Sequence, residues 1–176
     1  YAQSHLERWP DEARCLHVWP KDEIFLRDIF EWSSLFRAVS ITSAEGFYER
    51  FIEAVGEGHF ASIRYLKVRD LRWEGEDVKI LSKTCDALEG LSWAFRFVGS
   101  AYGVGWDTDE VGSWPHLKWL DLRGVSLSND AFRALLEATP NLEVLAPTTF
   151  GISAQHAEVL VGTGALGRLR ALDVGS

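Results

Sequence analysis

Residues whose types could support catalysis or metal binding are few in this chain, and they lie far apart. The five histidines are His5, His17, His59, His116 and His156. No two of them have the spacing of a metal-binding pair, so we expect them at surface or turn positions. Cys15 and Cys85 form no CxxC motif, and neither has the pattern of His and Asp or Asn that accompanies a nucleophilic cysteine. These residues predict no catalytic group and no metal ligand.

The glycine-rich segment 99–112 is the second place where chemistry could occur. Its glycines do not form a GxGxxG motif, and the chain has no GK[ST], HExxH or GxSxG motif and no EF-hand loop. Asp107, Asp109 and Glu110 could hold a divalent cation, but a solvated acidic loop is the simpler interpretation. We therefore expect a protein that is not an enzyme and that has no cofactor.

Composition and charge narrow the class of protein further. The chain has 176 residues, of which 47% are apolar and 25% are charged, which is typical of one globular domain with a sizeable core. Its net charge of −8 disfavours nucleic acid and anionic membranes as partners. No signal peptide or long apolar run is present, and two separated cysteines fit a reducing compartment, so we expect a cytoplasmic or nuclear protein. Because the chain begins at Tyr1 and lacks Met, we expect a fragment truncated at both ends.

A repeated apolar frame, LxxLxL, organises the chain. Residues 117–122 (LKWLDL) are the clearest copy, and weaker copies begin at Phe36 and Ala13. The seven frames start near residues 13, 36, 63, 88, 117, 142 and 169, with a mean spacing of 26 residues. The regular spacing, rather than any single frame, indicates a repeat protein.

Helix-length segments separate these frames. Ser128 is expected to cap a helix over 129–138 that Pro140 ends, and Ser153 is expected to cap the next helix. Further helices are expected after Ser43, from Val78 and over residues 24–30. Each unit has one apolar strand edge and one apolar helix stripe, and both are buried only when neighbouring units stack. The pattern therefore predicts an α/β solenoid with a parallel sheet.

Frames such as TPNLEVL and CDALEGLSW resemble leucine-rich repeats of the cysteine-containing and ribonuclease-inhibitor-like types. Over residues 10–176 the chain is most similar to the repeat region of fungal-type F-box proteins. The resemblance implies one leucine-rich-repeat domain over 1–176, a right-handed α/β horseshoe with a parallel concave sheet and convex helices. The Asn or Cys that usually follows the frame is mostly missing here, which leaves the subtype open.

The same resemblance implies a protein–protein interaction scaffold. In F-box proteins such repeats act as the substrate receptor of a cullin–F-box (SCF-type) ubiquitin ligase, and an F-box outside this segment would bind the adaptor subunit. The run 20–30 (PKDEIFLRDIF) matches an F-box opening poorly, because its spacings are too long. The alternative is a leucine-rich-repeat domain of the GTPase-activating or immune-receptor type, with a partner unrelated to ubiquitin.

Side-chain alternation predicts which residues face a partner. In each frame the third, fifth and seventh positions point out of the concave sheet. The predicted partner-binding residues are Trp19, Tyr65, Lys67, Arg69, Arg96, Trp119, Asp121 and Arg123. Arg96 is included because apolar alternation continues beyond the fourth frame. Since Trp, Tyr and Arg dominate interface energetics, an acidic or apolar peptide segment is the expected ligand. The alternative is that a loop or a flanking repeat covers Trp19 and Trp119.

Overall fold

The computed structural model describes the chain over residues 15–18, 37–42, 48–69, 75–94, 104–106, 108–123, 125–146 and 152–173. Several sequence-based expectations concern residues outside these ranges. They are Trp19, Arg96, the helix over residues 24–30, and Ser43, which was expected to precede the next helix. They remain predictions.

Within these ranges the chain forms nine strands in two parallel sheets. They are β1 (Cys15–Val18), β2 (Ala38–Thr42), β3 (Tyr65–Arg69), β4 (Gly90–Ala94), β5 (Val104–Trp106), β6 (Trp119–Asp121), β7 (Val125–Leu127), β8 (Val144–Ala146) and β9 (Ala171–Leu172). The main sheet has seven strands in the order β1-β2-β3-β4-β6-β8-β9, which follows the chain, and every pairing in it is parallel. This confirms the predicted α/β class with a parallel sheet.

Each strand of the main sheet begins at the third position of one predicted frame. The register joins these third positions directly, so that Tyr65 pairs with Gly90, and Gly90 pairs with Trp119. The same alignment extends from β1 to β9 without an offset. A shift of one residue would turn every apolar side chain away from the core, which explains why the frames align.

The same main-chain contacts join successive units. The carbonyl of Lys118, at the second position of its frame, accepts hydrogen bonds from Glu143 N at 2.8 Å and from Val144 N at 2.9 Å. Carbonyls at the second position of four other frames accept the equivalent two bonds: those of Arg37, Arg64, Glu89 and Glu143. Each carbonyl thus connects its unit to the next one independently of the side chain that the residue carries.

In the described part of the chain, four α-helices connect strands of the main sheet: α1 (Tyr48–Gly56), α2 (Gly75–Thr84), α3 (Asn129–Ala138) and α4 (Ala154–Gly162). Residues at the fourth and sixth frame positions, such as Leu66 and Leu120, pack with the apolar stripes of these helices, such as Phe132, in one buried cluster. Because the strand order follows the chain, connections of one hand place all four helices on the same face of the sheet. We call the opposite face the front face.

The helix starts agree closely with the sequence. Ser128 Oγ accepts a hydrogen bond from Ala131 N at 3.1 Å, and Ser153 Oγ accepts one from His156 N at 3.1 Å, so both predicted N-caps are confirmed. Helix α2 begins at Gly75, three residues before the expected Val78. Glu76 and Asp77 lie in its first turn, where negative charge is favourable.

We expect Ser128→Ala to lower the free energy of unfolding by about 1 kcal/mol, because the N–H of Ala131 would lose its acceptor. Urea unfolding followed by circular dichroism would measure the change. Ser62→Ala is the matched control, since Ser62 is exposed and outside any helix. Equal losses in the two variants would show that the cap does not stabilise α3.

The second sheet was not predicted. Strands β5 and β7 pair in parallel and form a two-stranded sheet of their own. The residues of β5 belong to the glycine-rich segment 99–112, and a three-residue strand is too short for alternation to be recognised in the sequence. None of the helices in the described ranges has the length and apolar content required to cross a bilayer.

Candidate functional site

The front face carries three rows of side chains that cross the strands. The third-position row includes Ala38, Tyr65, Gly90, Trp119, Val144 and Ala171. The fifth-position row includes Ser40, Lys67, Ser92, Asp121, Ala146 and the exposed Asp173. The seventh-position row includes Thr42, Arg69 and, two residues after Asp121, Arg123. Six of the eight predicted partner-binding residues therefore lie on one surface, and the other two are outside the described ranges.

Two aromatic rings of the third-position row lean over a glycine. A Cβ atom on Gly90 would lie 2.7 Å from Tyr65 Cδ1 and 3.3 Å from Trp119 Cε3, so any other residue at this position would displace the rings. Both aromatic side chains are half-buried. Burial, and next the charge of Glu89, raise the pKa of the Tyr65 phenol, which keeps it neutral. We call Tyr65, Gly90 and Trp119 the aromatic patch.

Four residues of the fifth-position row, from Ser40 to Asp121, are buried, which corrects part of what side-chain alternation predicted. Lys67 is 4% exposed and Asp121 is 1% exposed, although both were predicted to face a partner freely. Ser40 and Ser92, which pair with Lys67 on either side, are buried as well. Alternation gives the side of a sheet to which a side chain points, but not its depth among the neighbouring rows. These four residues of the middle row therefore belong to the packed interior.

Asp121 is the centre of a buried hydrogen-bond cluster. Arg123 Nε donates to Asp121 Oδ1 at 2.8 Å, and Arg123 Nη2 donates to Oδ2. The backbone N–H of Arg123 and the hydroxyl of Ser92 also donate to this carboxylate, at 3.2 and 3.3 Å. The hydrogen bond to Asp121 raises the pKa of the Arg123 guanidinium above its ordinary value. Arg123 is thus committed to Asp121 rather than available to a ligand.

Arg69 occupies the corresponding position two strands away, in a different environment. Two positions before Arg69 on the same strand is Lys67, a cation that cannot neutralise a guanidinium. Two positions before Arg123 is Asp121, which can. Arg69 is half-buried, and across the described ranges no hydrogen bond or ion pair engages its guanidinium. Of the two arginines described on this face, Arg69 is the one that can bind an anion.

A line of charged side chains runs along the N-terminal edge of the strands, and the sequence analysis missed it. Lys118 Nζ lies 2.9 Å from Glu89 Oε2, Arg64 Nη1 lies 3.7 Å from Glu89 Oε1, and Arg170 Nη1 lies 3.1 Å from Glu143 Oε2. The hydrogen bond that Lys118 donates to Glu89 raises the pKa of Lys118. The signal was present in the sequence, because the second position is charged in all seven frames: Arg14, Arg37, Arg64, Glu89, Lys118, Glu143 and Arg170. Each exposed pair of this kind contributes only about 0–1 kcal/mol to the free energy of unfolding. We therefore expect these pairs to favour the correct alignment of neighbouring units and to add little stability.

The residues with possible chemistry have structural roles where they are described. Burial raises the pKa of the Cys85 thiol to about 12, which keeps it protonated and unreactive near neutral pH. His156 is half-buried on α4 instead of lying at the surface or in a turn, and its ring packs against Phe132 with centroids 4.8 Å apart. Asp109 lies 3.8 Å from Lys79 Nζ, and no group of three His, Cys, Asp or Glu residues within the described ranges could hold a metal ion.

These features define an α/β protein built on one main parallel sheet, with its helices on one face and, on the other face, an aromatic patch and an arginine that no described residue engages. No protein-family model matches the chain, and no curated protein or solved structure shows significant similarity to it. Its function must therefore be inferred from the front face itself.

Proposed function

We propose that this chain is a leucine-rich-repeat domain that binds another protein on the front face of its main sheet. Seven frames of nearly equal spacing support the repeat assignment, because each supplies one strand and all seven strands align without an offset. Repeated main-chain contacts between successive units support it as well. A horseshoe with a concave front face is the arrangement that such stacking produces in this class.

The observation that carries the proposal is the composition of the front face. The aromatic patch is half-buried, and Arg69 is half-buried without a described partner, on the face opposite the helices. Aromatic and arginine side chains of this kind provide most of the binding energy at protein interfaces. The apolar side chains of the helices, by contrast, are buried in the core and are not available to a partner.

Within this class we propose the substrate receptor of an SCF-type ubiquitin ligase as the specific role. The resemblance of the frames to those of fungal-type F-box proteins supports it, and in that arrangement the front face holds the protein to be modified. The buried, protonated thiol of Cys85 fits a cytoplasmic or nuclear location, where cysteines remain reduced.

The double substitution Trp119→Ala with Arg69→Ala is expected to abolish partner capture while the circular-dichroism melt stays nearly unchanged. Both side chains are only half-buried, so we expect Tm to fall by no more than about 5 °C. The measurement is affinity purification of the full-length protein from its own cells, with quantitative mass spectrometry. Arg133→Ala with Glu137→Ala is the matched control, because both residues are exposed on α3.

The results separate the two levels of the proposal. The ligase adaptor should copurify with the full-length wild type and with the double variant, whereas substrate proteins should be lost only from the double variant. An absent adaptor contradicts the ligase role. Partners that persist in the double variant, or an unfolded double variant, contradict the binding face.

A further inference from the structure

We propose that the front face binds an extended peptide segment in which an acidic side chain pairs with Arg69 and an apolar side chain packs on the aromatic patch. This inference rests on the proposed function and specifies its ligand. Alternation predicts the same outward orientation for all residues of the three rows, but Lys67 and Asp121 are buried whereas Arg69 and the aromatic side chains are half-buried.

The charges of the front face determine the sign of the ligand. Asp121 is neutralised by Arg123 at 2.8 Å, and Glu89, beside the aromatic patch, is neutralised by Lys118 at 2.9 Å. Arg69 has no such neighbour in the described ranges. Among the described residues of this face, its guanidinium therefore keeps a positive charge that no carboxylate balances, on a chain whose net charge is −8.

The chemistry of Arg69 favours a carboxylate over a polyanion. A guanidinium presents two parallel N–H donors that match the two oxygens of a carboxylate. The acidic remainder of the chain repels nucleic acid, which needs a run of cations along its backbone. A single arginine on the same face as two aromatic rings is suited to a peptide that carries one acidic and one apolar side chain.

The geometry of β3 sets the spacing of the two ligand groups. Tyr65 and Arg69 are the first and last residues of this strand, so their Cα atoms lie about 13 Å apart at the rise of an extended chain. A peptide that runs along β3 spans this distance in four residues, and its side chains at positions i and i+4 point to the same side. We therefore expect an acidic residue four positions from a large apolar one.

Synthetic peptides test this expectation directly. The probes are short capped peptides that contain WGSGE or EGSGW, with WGSGQ as the uncharged analogue and WGSE as the analogue with altered spacing. Affinity is measured by titration in a ¹H–¹⁵N correlation spectrum of the protein. We expect one of the two acidic probes to bind about tenfold more tightly than WGSGQ and WGSE, with shift changes at Arg69 and Trp119. High salt should weaken this difference.

A charge exchange identifies the arginine involved. Arg69→Glu should remove the preference for the acidic probe and create one for the corresponding lysine peptide. Arg133→Glu makes the same change in net charge on the exposed surface of α3. This variant should still prefer the acidic probe and should gain no preference for the lysine peptide. A phosphoserine peptide of the same spacing provides the remaining comparison, and tighter binding of it than of the acidic probe would overturn the carboxylate assignment.

Three further results would overturn the inference: no binding of any probe at millimolar concentration, equal binding of the acidic and uncharged probes, or equal effects of Arg69→Glu and Arg133→Glu. If cellular partners are nevertheless lost from the Trp119→Ala and Arg69→Ala variant, the interaction scaffold stands and only the ligand class is wrong. If those partners persist as well, both proposals fail.

Discussion

Arg123→Leu is expected to lower the free energy of unfolding by about 3 kcal/mol. The substitution leaves the Asp121 carboxylate without its cation, and the Asp121 side chain is 2% exposed. Removing one partner of a buried ion pair typically costs about 3–5 kcal/mol. We expect the lower end of that range because the Arg123 side chain is 32% exposed, which lets water approach. Urea denaturation measured by tryptophan fluorescence would give the value.

A second substitution should reverse most of this loss. Asp121→Asn in the Arg123→Leu background removes the unpaired charge, keeps an oxygen for the backbone N–H at position 123, and places an amide N–H donor where the Ser92 hydroxyl can rotate to accept it. The double variant is expected to lie within about 1 kcal/mol of the wild type. Arg170→Leu is the surface control, because Arg170 and Glu143 form a pair that is 78% and 35% exposed. A loss in Arg123→Leu no larger than in this control would show that the Asp121 cluster does not stabilise the sheet.

Gly112→Ala is expected to cost on the order of 3 kcal/mol, because two effects add. Gly112 has φ +71°, a conformation that disfavours any side chain, and its Cβ would lie 2.6 Å from Ser82 Cβ on α2. Gly58 provides a control that isolates the first effect. Its φ is +83°, and no heavy atom lies within 4 Å of the position that a Cβ would occupy.

The comparison of the two glycines tests the packing of α2. Gly58→Ala should cost about 1 kcal/mol, the backbone contribution alone. The difference between the two variants then measures the steric contact with Ser82, through equilibrium unfolding in urea. Equal costs would mean that the segment around Gly112 does not lie against α2.

The strand positions could be predicted because they depend on a periodic pattern. Leu66, Leu91 and Leu120 recur at the fourth frame position, and only a parallel sheet of aligned strands buries all of them against the helices. The two serine caps were predictable for a similar reason, since they depend on local chemistry at one helix end. Neither prediction needed knowledge of contacts between distant units.

The candidate site was predictable only in part. Alternation placed Lys67 and Asp121 on the correct face but did not reveal their burial, which depends on the volumes of the neighbouring rows. The role of Gly90 was also hidden, because it arises from rings on two other strands. The contrast between Arg69 and Arg123 could have been found, since the sequence reads KVR in one strand and DLR in the other. Residues two apart on a strand share a face and can neutralise each other.

The charged line at the N-terminal edge of the strands has a consequence for the order in which units assemble. From Arg64 through Glu89, Lys118 and Glu143 to Arg170, the sign alternates at every step. If one unit were skipped during folding, Glu89 would come to lie beside Glu143, or Arg64 beside Lys118, and like charges would meet. Near-identical units are prone to such mis-stacked traps. The alternating signs therefore penalise the wrong neighbour in each case, although each correct pair adds little to the stability of the finished protein.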